Sequence, residues 1–189
     1  MASTNKKFFF LLITGAPAAG KFTVGKILEK KLKVPLFHNH LVIDLVKSFI
    51  KGDKIKNRSI LRQKVFFECL DTAGKEQASL VITHTYGHDY VANSGMSDRT
   101  YVSKIKKIVE KYGGVFYSVH LIAERQTLYK RVTEPSRKMF GKIKTIKVLK
   151  DVLDPDDTRQ EPFKDSLVID STNMSAQQVT KRILTTFKI

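Results

Sequence analysis

Hydrophobic residues in this chain fall into short continuous runs, separated by longer stretches where they recur every three or four positions. The runs at 8–14, 35–38, 80–85, 115–121 and 167–170 predict strands. Several are apolar without alternation, as strands covered on both faces are. The stretches between them predict amphipathic helices. In TYVSKIKKIVEKYGG, Tyr101, Ile105, Ile108, Val109 and Tyr112 share one stripe, and Gly113-Gly114 ends it. In the last stretch Ser175 and Gln178 have capping-box spacing, and Val179, Ile183 and Phe187 repeat at intervals of four. This alternation of strand and helix predicts a parallel sheet with helices on both faces, whose ligands bind beyond the carboxyl ends of the strands.

The first strand leads directly into GAPAAGKFT, residues 15–23. Gly15, Gly20 and Lys21 have the G-x-x-x-x-G-K spacing of a phosphate-binding loop, and a helical pattern follows at 24–32. Backbone N–H groups of such a loop wrap a phosphate at the positive end of a helix dipole, and Lys21 adds a point charge. The loop residues Gly15, Ala16, Pro17, Ala18, Ala19, Gly20, Lys21, Phe22 and Thr23 are therefore the candidate nucleotide site. Phe22 stands where a metal-ligating Ser or Thr is usual, and Thr23 comes one position later.

Length and hydrophobic content, 189 residues and 42%, fit one domain spanning 1–189. With 34 Lys and Arg against 18 Asp and Glu, the net charge of +16 favours polyanionic partners, although KIKKIVEK and KIKTIKVLK also read as solvated helix faces. The single cysteine, Cys69, excludes an intramolecular disulfide framework and fits a cytoplasmic location. No run is long enough to span a membrane.

The loop resembles that of the nucleoside-monophosphate kinases, G-K-G-T, which also lacks a hydroxyl directly after the lysine. That resemblance implies that Thr23 serves the α-phosphate and that magnesium is held largely through water and phosphate oxygens. From Gly15 to the C-terminal helix the motif order resembles shikimate kinase and gluconate kinase, small phosphotransferases of the same fold. It implies a three-layer P-loop NTPase fold with a five-stranded parallel sheet and a small lid at about 131–145. LFHNHLVID corresponds to the substrate segment F-x-D-S-D-x-x-I-E, with His38 and His40 in place of both aspartates and Asp44 as the later acid. His38, Asn39, His40 and Asp44 are thus expected at the acceptor, with His40 as the base. LIAERQTLYKRVTEPSRK is similar to the helix and basic lid, which implies Arg131 beside the adenine and Arg137 with Lys138 at the phosphates. VIDSTNMSAQQV resembles a segment passing near the adenine. Arg62 matches a substrate-anchoring arginine, and His84, standing where relatives place an acid or glycines for metal or substrate, is also expected to bind the acceptor. No Walker B aspartate is evident.

The resemblance implies an ATP- and magnesium-dependent kinase with Lys21, His40 and Arg137 as catalytic residues and a small hydroxylated or phosphorylated metabolite as acceptor. Against it stands a nucleotide-gated switch or nucleic-acid-associated ATPase, suggested by the charge and by CLDTAGKEQ, which resembles the D-x-x-G segment of small GTPases. Three features oppose the switch. The residues upstream of D-T-A-G have helical spacing, too few residues separate Gly74 from the next strand, and no N-K-x-D motif follows.

Overall fold

The computed structural model describes residues 7–51, 54–138, 142–153 and 158–189. Five strands, β1 (Phe9–Gly15), β2 (Leu36–His38), β3 (Leu80–Thr83), β4 (Val115–Ile122) and β5 (Leu167–Asp170), form one parallel sheet in the order β2-β3-β1-β4-β5. Each predicted strand is present, with ends shifted by at most two residues. The helices are α1 (Lys21–Leu32), α2 (His40–Phe49), α3 (Ile55–Lys75), α4 (Asp98–Lys111), α5 (Arg125–Val132), α6 (Ile146–Leu153) and α7 (Ala176–Phe187). Among the described residues no helix is long and apolar enough to cross a membrane.

The continuous apolar run of β1 feeds two cores at once, because successive side chains of a strand point to opposite faces. Phe9, Leu11 and Ile13 pack with Val24 and Leu28 of α1, Leu128 of α5, Leu149 of α6 and Val179 and Ile183 of α7. Phe10 and Leu12, joined by Phe8 just before the strand, pack with Val42 of α2, Phe66 and Leu70 of α3 and the Tyr101–Ile105–Val109 stripe of α4. The Ser175 capping box opens α7 as its spacing predicts.

The D-T-A-G segment lies in the last turns of α3 and packs against the end of α4. Asp71 accepts hydrogen bonds from Lys111 Nζ (3.0 Å) and Tyr112 Oη (2.9 Å). A Cβ on Gly74 would come within 2.6 Å of the Tyr112 ring, so glycine permits this helix approach. The segment is a packing device between two helices.

Candidate active site

Strands β1, β2 and β3 end side by side, with Ile13 and His38 both in register with Thr83. The chain leaves β1 through Gly15 (φ +133°), Ala18 (φ +67°) and Gly20 (φ +95°) before α1 begins at Lys21. Left-handed backbone costs a non-glycine residue such as Ala18 about 1–2 kcal/mol, so the loop is held in shape by its surroundings. The first intrahelical bond runs from Val24 N–H to Gly20 O (3.0 Å), and earlier N–H groups of a helix have no partner within it. Lys21 Nζ donates to the carbonyls of Gly15 (2.8 Å) and Ala16 (2.7 Å). Burial, reinforced by Arg137 and Lys142, lowers its pKa to about 7.

Above this loop the structure opens into a cavity of about 800 Å³. Its two ends follow the strand order. Toward β4 and β5, Arg131 donates to Ser171 O (2.7 Å) and to Ser171 Oγ (3.3 Å). The Ser171 hydroxyl lies 3.1 Å from Ile122 O and 3.3 Å from Ala19 O, so Arg131 and Ser171 tie the β5–α7 connection to the loop between β1 and α1. Arg137 sits on a single 3-10 turn, Pro135–Lys138, where its Nε donates to Ile143 O (2.8 Å). Lys142 Nζ lies 4.0 Å from the centre of the Phe22 ring. Residues 139–141 of the expected lid and the side chain of Lys138 fall outside the described part of the chain.

Toward β2 and β3, His38, Asn39, His40, Arg62 and His84 all line the same cavity. β2 stops at His38 and α2 starts at His40, and both residues line the cavity with their rings 6.3 Å apart. Phe22 fills the position of the absent hydroxyl and meets His38 edge-on at 5.0 Å. Burial, then Lys142, lowers the His38 pKa. Burial lowers that of His40 to about 4, against an opposing contribution from Asp44. Asp44 does not line the cavity and acts on the two rings from α2.

Two participants had no motif to announce them. Asp98, in the first turn of α4, is buried and accepts a hydrogen bond from His84 Nε2 (3.1 Å) and one from Gly87 N–H (3.0 Å). Tyr101, one turn later, stacks on the His84 ring at 4.4 Å. The one signal for Asp98 is Ser97, which caps α4 by accepting from Thr100 N–H and marks the following residue as a helix start.

Among the described residues no group of three His, Cys, Asp or Glu could hold a metal ion. Lysine, arginine and loop N–H groups form a donor set that suits a triphosphate. A divalent ion accompanying it would be held largely through phosphate oxygens and water, since Phe22 offers no ligand.

No protein-family model matches the sequence, and no curated protein does. Solved structures match in shape. They include a sugar kinase from a Janibacter species (TM-score 0.63, 16% identity, 96% of this chain and 95% of that one). A gluconokinase from Sinorhizobium meliloti matches with TM-score 0.58 and 14% identity over 95% of this chain and 91% of that one. A shikimate kinase from Acinetobacter baumannii in complex with shikimate matches with TM-score 0.55 and 15% identity, over 97% of this chain and 94% of that one. At these identities the likeness establishes the fold. The chain has the P-loop kinase fold, five parallel strands with helices on both faces.

Proposed function

We propose that the protein transfers the γ-phosphoryl group of ATP to a hydroxyl of a small metabolite. The observation that carries this reading is one cavity with two chemically different ends around a phosphate loop. At the loop, the Lys21, Arg137 and Lys142 cations lie close enough that the other two lower the Lys21 pKa. Toward β2 and β3 the wall includes histidine, asparagine and arginine beside Ile43 and Tyr101, and its polar groups suit a polar acceptor. Phosphoryl transfer asks chiefly for positioning and charge neutralisation, which this arrangement supplies. Arg131 and Ser171 would face the base of ATP and the loop at residues 15–23 would hold its phosphates, and magnesium bound with them would add charge neutralisation. Arg137 takes up charge that develops on the transferred group.

A panel of hydroxylated metabolites with MgATP tests this reading, by ADP release that depends on the acceptor. Steeply salt-dependent binding of RNA or DNA, without phosphorylation of any acceptor, would favour the nucleic-acid-associated ATPase instead.

Arg137→Ala is expected to lower turnover about 100-fold while ATP affinity changes less than about tenfold, the pattern of a group acting mainly in the transition state. A loss confined to affinity would make Arg137 a ground-state clamp. Steady-state kinetics and calorimetry on the same preparation separate the two.

The depressed Lys21 also predicts proton uptake. Free Lys21 is half neutral near pH 7, and bound phosphates favour the ammonium, so binding raises its pKa and draws in a proton. ATP affinity then falls as pH rises above about 7. Calorimetry in buffers of different ionisation enthalpy should show uptake approaching one proton at pH ~8, and none in Lys21→Met. Uptake unchanged in that variant would contradict this assignment.

A further inference from the structure

His84 is more than nine-tenths buried and is one of the residues lining the cavity toward β2 and β3. Its backbone follows directly on β3, and His84 N–H donates to Ile13 O (3.0 Å), one strand from the carbonyls that hold Lys21. The side chain is oriented on two sides. Tyr101 stacks on the ring, and Asp98 Oδ1 takes the Nε2 proton. Asp98 is fixed in turn, because Oδ2 accepts the Gly87 N–H. A carboxylate only accepts, so the neutral ring must carry its proton on Nε2 and leave Nδ1 bare. Nδ1 is buried and has no hydrogen-bond partner among the described residues. A buried acceptor of this kind is costly unless something completes it.

We infer that His84, oriented by Asp98, is the base that accepts the proton of the acceptor hydroxyl during phosphoryl transfer. This rests on the kinase reading. The acceptor O–H bond breaks, and its proton passes to His84 Nδ1. The oxygen forms a bond to the γ-phosphorus of ATP, and the bond from that phosphorus to the β,γ-bridging oxygen breaks, leaving its electron pair on ADP. The imidazolium, stabilised by Asp98, returns the proton to solvent after the products leave. His40, which motif order suggested for this role, is a weaker candidate. Its pKa of about 4 makes it a poor proton acceptor, since a base works best when poised near the working pH. Asp98 is a positioning residue.

The test uses the whole chain and two readouts. Two-bond proton–nitrogen spectra of protein labelled with nitrogen-15 histidine give the His84 tautomer without requiring turnover. Wild type is expected to show a bare Nδ1 and a protonated Nε2. In Asp98→Asn, Gly87 N–H still binds the side-chain oxygen, so the new amide NH2 faces Nε2. That forces the proton onto Nδ1 and removes the base. The same variant, and His84→Gln, should reduce MgATP hydrolysis with water as acceptor by about 100-fold, while calorimetric ATP affinity stays within about twofold. A wild-type ring protonated on Nδ1, an Asp98→Asn ring with unchanged tautomer, or undiminished hydrolysis in His84→Gln overturns the assignment. Absence of ATP binding to wild type would instead remove the kinase reading beneath it.

Discussion

Lys21→Ala is expected to lower ATP affinity by about 100-fold or more, roughly 3 kcal/mol, while the protein stays folded. The lysine makes no contribution to either core. Its ammonium caps two loop carbonyls, Gly15 and Ala16, and stands among cations that disfavour its charge. Removing it takes away the charge-assisted bonds to the phosphates and also relieves repulsion in the free protein. Calorimetry with MgATP gives the affinity, and a thermal melt gives the fold. Unchanged affinity in a folded variant would contradict the phosphate-loop assignment.

Gly15→Ala is expected to act through the fold itself. Gly15 has φ +133°, and a Cβ there would lie 2.2 Å from the carbonyl oxygen of Leu121 on β4. Strained backbone and overpacking each cost about 1–3 kcal/mol, so together they should destabilise the protein by roughly 4 kcal/mol and lower the melting temperature by about 10 °C. The loop distorts with the sheet, because the Gly15 carbonyl also receives Lys21. A melting temperature within about 2 °C of wild type would show that β1 and β4 separate more easily than their close approach implies.

Most of the scaffold was legible because its signals are local. The apolar run before Gly15 and the four-residue periodicities are properties of neighbouring positions, and so is the Ser175 cap. Even the D-T-A-G segment could be placed at a helix end from the spacing of Phe66 and Leu70. Strand order was not legible, since it depends on which edges meet after crossovers. Of the expected loop residues, 17–23 line the cavity while Gly15 and Ala16 do not, and five expected acceptor-side positions line its other end, with Asp44 outside the wall. The His84–Asp98 contact was invisible because it joins residues fourteen apart across an irregular loop, where no periodicity constrains side-chain direction. The environment of His40 was not legible for a related reason, since burial at the start of α2 lowers its pKa to about 4 and no local spacing reports burial.

The most direct test of phosphoryl transfer to a small acceptor is to incubate the protein with ATP labelled at the γ-phosphate and a protein-free, small-molecule cell extract. Label is expected in a discrete organic phosphate ester, with ADP formed in equal amount, and Lys21→Ala is expected to abolish the product. Label recovered only as ATP or inorganic phosphate, from a protein that binds ATP, would contradict it.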